Sequence, residues 1–147
     1  MKAASLLSAL GLIAWLAHTV TADACPAWSA RHVQVGAQRF DVEVVATMAE
    51  RNRGLSGRPS LAKGTGMLFV LPKPDLHGFW MKDMRFPLDL IWIGSDRTVV
   101  GISRLSPCGA DSCPVHTPTA PVAYVLEVNA NNFAGKVGDR MEWDCVP

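Results

Sequence analysis

Between residues 39 and 143 the apolar residues come in short runs, each cut off by glycine, proline, aspartate or asparagine. That spacing leaves little room for long helices and points to short strands joined by turns. Residues 39–45 alternate Phe40, Val42 and Val44 with Asp41 and Glu43, the period of a half-buried strand. Further runs at 67–71, 79–81, 88–93, 98–105, 124–128 and 140–143 make seven strand candidates. Thr47-Met48-Ala49-Glu50 has the form of a capping box, so a short helix is expected there, limited by Gly54 and Gly57. A second helical turn is expected around residues 131–135. The chain reads as α+β, mostly β: a small barrel-like or strongly curved antiparallel sheet with one short helix, an architecture that exposes few strand edges.

The first residues have a different composition. Met1 and Lys2 precede a mostly apolar stretch, and its continuous centre, residues 9–17, is far short of the ~20 residues that cross a bilayer. Ala22-Asp23-Ala24 fits small-x-small cleavage, with Val20-Thr21-Ala22 as the rival site. Residues 1–24 therefore read as a signal peptide rather than a permanent anchor or a lipoprotein leader. Residues 25–147 read as a single β-rich domain, exported to the periplasm or secreted, with no stable membrane span after cleavage. All four cysteines follow the leader, and an even count in an exported chain reads as disulfides. Cys108 and Cys113 enclose a flexible polar loop and are paired, which leaves Cys25 with Cys145. The rival is a zinc site from Cys108, Cys113 and His116, but that spacing is poor for zinc. No metal or cofactor is expected. The net charge of +1 is scattered along the chain, so nucleic acid is not an expected partner.

Two carboxylates stand out. Asp89 shares a strand face with Ile91 and Ile93, and Glu127 shares one with Val125. An acid on an apolar face must be paired or protonated. If both faced one cleft, they could act as acid and base, as in a small hydrolase or lyase, with Lys82 or Arg53 stabilising charge. A structural role weighs more, each acid being held by Lys82, Arg85 or Arg53 and both projecting to the same side of the sheet. Trp80, Lys82 and Asp83 fall in the most distinctive segment, residues 78–93, where Phe79, Phe86 and Trp92 also cluster. Clustered aromatics beside polar groups can form a binding platform, although in a small domain they are more often core. No serine sits in a nucleophile-elbow pattern, and Gly64-Thr65-Gly66 lacks the ending of a phosphate loop.

Glu50-Arg51-x-x-Gly54-Leu55, Gly66-Met67-Leu68-Phe69, Phe79-Trp80-Met81-Lys82, Pro87-Leu88-Asp89, Tyr124-Val125-Leu126-Glu127 and Gly138-Asp139 occur in that order. This series resembles the bacterial and archaeal family called domain of unknown function 192, over residues 40–142. Two places depart from the family's usual residues: Asp83-Met84 stands in place of Asn-Thr, and Ser56 in place of Met. The resemblance implies a compact β-rich fold and brings no established reaction. The expected function is non-catalytic binding of a small molecule, a glycan or an envelope protein. Arg53, Trp80, Lys82, Asp83, Asp89 and Glu127 are the candidate ligand-binding residues.

Overall fold

The computed structural model describes residues 25–109 and 112–144; the expected leader and Cys145 lie outside them. Its elements in chain order are β1 (His32–Val35), β2 (Gln38–Val45), α1 (Met48–Arg53), β3 (Thr65–Asp75), β4 (Leu88–Ile93), β5 (Val99–Leu105), β6 (Val122–Asn129) and β7 (Met141–Asp144). The strands form one sheet in the order β5-β4-β6-β3-β2-β1-β7. The mostly-β, strongly curved sheet expected from the sequence is what the chain forms. It is not wholly antiparallel: β2 and β3 run parallel, and the crossover that parallel neighbours require carries α1.

The sheet curls until its two edges meet at one end. Thr98, just before β5, bridges Arg140, just before β7. The N–H groups of Val99 and Met141 donate to the carbonyls of Asp139 and Arg97, each at 2.8 Å. The result is a half-barrel with an apolar layer on either side. Val33, Phe40, Leu68, Ile91, Val128 and Met141 belong to the inner layer. Met67, Phe69, Leu90, Trp92, Leu105 and Val125 belong to the outer layer, which Leu55 and Met81 from the connecting segments help to cover. Because both faces are covered, all six residues of β4 are buried, and the strand reads as an apolar run rather than an alternation.

Four expectations need correction. β1 was not among the strand candidates, because four residues are too few for alternation to stand out. It is held by β2 through a tight turn at Gly36 (φ +58°) and by β7 on its other side. Residues 79–81 are not a strand; Phe79 makes only a bridge to His116. β3 does not stop at Pro72 but runs to Asp75. Its register with β6 breaks between Val70 and Asp75, so the ladder does not need the N–H groups that Pro72 and Pro74 lack. Residues 131–135 form a turn and irregular chain rather than a helix.

Cys108 and Cys113 are joined as expected, so their sulfurs are not metal ligands. Cys25 is also disulfide-bonded. Its carbonyl accepts the Trp143 indole N–H at 3.0 Å, which places it beside β7, the strand that leads to Cys145. Among the described residues no group of three or more His, Cys, Asp or Glu side chains is placed to hold a metal. None of their helices is long and apolar enough to cross a membrane.

Candidate functional site

The site begins with a mismatch on β6. Glu127 lies on the outer face, opposite Met67 of β3 and Leu90 of β4, so neither neighbouring strand offers it a polar partner. It is only 5% exposed. Among the described residues no hydrogen bond or ion pair reaches its carboxyl. Burial alone acts on it and pushes its pKa up to about 8, so at neutral pH it is mostly the neutral acid.

Glu127 lines a cavity of about 250 Å³. The walls come from α1 and the segment after it (Arg51, Asn52, Arg53, Gly54, Leu55, Ser56), from β3 (Phe69, Leu71) and from residues 77–84 (His77, Gly78, Phe79, Trp80, Met84). Burial gives the cavity a depth: Glu127 forms the floor, and exposed Arg53 and half-exposed Trp80 (53%) stand at the mouth. Phe79 packs edge-on between Phe69 and Trp92, with ring centroids at 5.0 and 5.4 Å, and stiffens the wall.

Local sequence sets each wall. The Thr47–Glu50 capping box forms as expected, with Thr47 Oγ1 accepting from the Glu50 N–H and Glu50 Oε2 from the Thr47 N–H. This starts α1, and Gly54 ends it at φ +48°. A Cβ on Gly54 would lie 3.3 Å from the Phe69 ring, so glycine lets the chain turn closely over the cavity wall. Arg51 donates to the carbonyls of Ala46 and Val70, tying α1 to β3. Arg53 makes no hydrogen bond or ion pair among the described residues.

Asp89 has the opposite fate. It is fully buried, yet Arg104 of β5 donates to it from Nε at 2.7 Å and from a terminal nitrogen at 3.4 Å, and the Phe133 N–H lies 3.4 Å from its other oxygen. Its cation is therefore Arg104, not Lys82, Arg85 or Arg53. The β4–β6 register pairs Asp89 with Val128 and Leu90 with Glu127. Directly opposed residues share a face, so the two acids project to opposite sides of the sheet. The expectation that they face the same side is overturned.

Of the six candidate residues, Arg53, Trp80 and Glu127 come together at the cavity. Lys82 and Asp83 are exposed and do not line it. Their carbonyls accept from Ser56 Oγ (3.0 Å) and the Gly57 N–H (2.9 Å), fastening two wall segments together. Ser56 and Asp83, two of the positions that depart from the family's usual residues, are thus neighbours in space. Arg51, Asn52, Phe69 and His77 also line the cavity, though none was a candidate. The Glu-Arg-x-x-Gly-Leu series, which contains Arg51, was the available signal. A second, more open hollow beside β2 holds His32, Asp41, Glu43 and Arg58, whose polar groups meet one another: the His32 ring lies 3.2 Å from Asp41, and Arg58 pairs with Glu43.

Two solved structures share this architecture. A protein of unknown function from Novosphingobium aromaticivorans DSM 12444 is 34% identical, with a TM-score of 0.69 over 76% of this chain and 84% of that one. A protein from Sinorhizobium meliloti 1021, described as a candidate transcription regulator, is 30% identical, with a TM-score of 0.71 over 79% of this chain and 95% of that one. No curated protein matches the chain. The motif segments Glu50–Leu55, Phe79–Trp80 and Tyr124–Glu127 each send residues into the one cavity, and residues 31–143 match the family of uncharacterised proteins that the motif order indicated. The chain belongs to domain of unknown function 192.

Proposed function

We propose that this is an exported, non-catalytic binding domain whose ligand is a small polar molecule held over Glu127. One observation carries the reading: Glu127 is only 5% exposed, its carboxyl has no partner among the described residues, and its oxygens open on a cavity. An unpaired buried polar group is costly, and a ligand that bonds it removes that cost. The cavity's volume lies below the ~300–1,000 Å³ of ordinary ligand pockets, which favours a small molecule over a glycan chain or a protein surface. The rival hydrolase or lyase needs Asp89 and Glu127 in one cleft, and the register separates them. A regulator's contact with nucleic acid has little support here, since the net charge is +1 and α1 has six residues.

The test is a thermal-shift screen of small polar metabolites against the wild-type protein and Glu127→Gln. Compounds that raise the melting temperature of the wild type alone support the reading. A screen in which the two proteins respond alike to every compound overturns it. Export rests on the leader-like first residues and on the Cys108–Cys113 disulfide. Mass spectrometry of the recovered protein is expected to find its N-terminus at Cys25 or Asp23. Intact Met1 on the protein in its working compartment would contradict export.

A further inference from the structure

The sheet treats its two buried acids differently. Asp89 has a guanidinium directly across from it on β5, whereas Glu127 faces Met67 and Leu90 and opens on a cavity. The charged and titratable groups around that cavity are Arg51 and Arg53 from α1 and His77 from the segment after β3. His77 Nε2 is bonded to the Lys73 carbonyl at 2.7 Å, and so donates from that nitrogen. Arg51 is held by two backbone carbonyls, and Arg53 at the mouth has no acidic partner among the described residues. The site therefore lacks a cation at its floor and an anion at its mouth, with the Phe69 and Phe79 rings between them.

We propose, building on the binding reading above, that the ligand is a small free amino acid or comparable zwitterion, its ammonium seated on Glu127 and its carboxylate turned toward Arg53. The ammonium supplies the charge that neither β3 nor β4 provides, in a site whose aromatic wall also favours a cation. The carboxylate meets a guanidinium whose planar fork suits it. The cavity holds a molecule of single-residue size. Glu127 is held mostly as the neutral acid by burial, so an incoming ammonium displaces its proton to solvent; the ligand keeps its own proton and the carboxylate is left paired.

Isothermal titration at pH 7 of the disulfide-intact protein with glycine, alanine, β-alanine and γ-aminobutyrate tests this, run in buffers of different ionisation enthalpy. Propylamine, butyrate and glucose serve as the cationic, anionic and neutral controls. At least one zwitterion is expected to bind at least tenfold more tightly than every control, releasing close to one proton per ligand. Glu127→Gln is expected to lose at least tenfold in affinity and to abolish the proton release, and Arg53→Ala to lose affinity while keeping the release. Tighter binding of glucose or butyrate, without proton release and still sensitive to Glu127→Gln, overturns the zwitterion and leaves the binding reading standing. No binding by any zwitterion, or binding that Glu127→Gln leaves unchanged, also overturns it. The metabolite screen then decides separately whether the cavity binds anything.

Discussion

A carboxylic acid on an apolar strand has two ways to survive burial, and this chain uses both. Asp89 stays next to a guanidinium; Glu127 keeps its proton. The second solution has a pH signature whose sign is fixed. The folded state holds the Glu127 proton up to about pH 8, whereas the unfolded chain releases it near 4.5. Its contribution to stability is complete below pH 4.5, declines as pH rises through the window, and is gone above about 8, a loss of up to roughly 5 kcal/mol. Urea unfolding followed across that range is expected to show the decline in the wild type and a much flatter profile in Glu127→Gln. The lowered carboxylates Glu50, Asp75, Asp96 and Asp144 titrate below this window and leave it undisturbed. At Asp89 the outcome is reversed. Asp89→Asn weakens the bonds from Arg104 and is expected to lower the melting temperature by several degrees at neutral pH, where Glu127→Gln raises it or leaves it unchanged.

Within single elements the sequence was readable; between elements it was not. Alternation correctly placed Asp89 with Ile91 and Ile93, and Glu127 with Val125. The relation between those two faces depends on the offset of β4 against β6, and a slip of one residue would invert it. Nothing in either strand's own sequence reveals that offset. Arg104 was hidden by a similar cause. Counting outward from the Ile93–Val99 pair places Ser103 opposite Asp89, but a bulge at Trp92 shifts the pairing by one residue and brings Arg104 there instead. The cavity was partly legible, because its floor and mouth residues were candidates, but the convergence of α1 with residues 77–84 is a tertiary event. Local signals did better: the capping box of α1 formed as written. Thr47→Ala is expected to destabilise the protein by about 1 kcal/mol in denaturant unfolding, since a free helix N–H loses its acceptor. It should also weaken ligand binding, because α1 carries Arg51 and Arg53 to the cavity.

Across the whole molecule, the curled sheet is a rigid frame and the cavity is built from the segments laid over its outer face. Residues 77–84 gain little from regular structure. They are fixed by the neighbouring connection: Phe79 and His116 exchange backbone hydrogen bonds at 2.8 and 2.7 Å, and the Cys108 N–H reaches the Met81 carbonyl at 3.5 Å. The Cys108–Cys113 disulfide ties that connection into a tight loop. Replacing both cysteines by serine is expected to cost only about 2 kcal/mol, because the closed loop is short. Hydrogen exchange should accelerate mainly at residues 76–87 and 106–118 and leave β3, β4 and β6 protected. A uniform acceleration across the sheet would show that the disulfide holds the fold itself and not this wall.

Under the proposed export, that division implies a maturation step. The frame rests on burial, backbone pairing and the disulfide at Cys25, while the wall that completes the cavity is tied by removing two electrons from the Cys108–Cys113 thiol pair. A chain still in a reducing compartment would then be open-walled, with weak hold on any ligand it met there. On the proposed export route, oxidation after translocation would complete the wall of the proposed binding cavity, so that closure of the site and arrival outside the cytoplasm coincide.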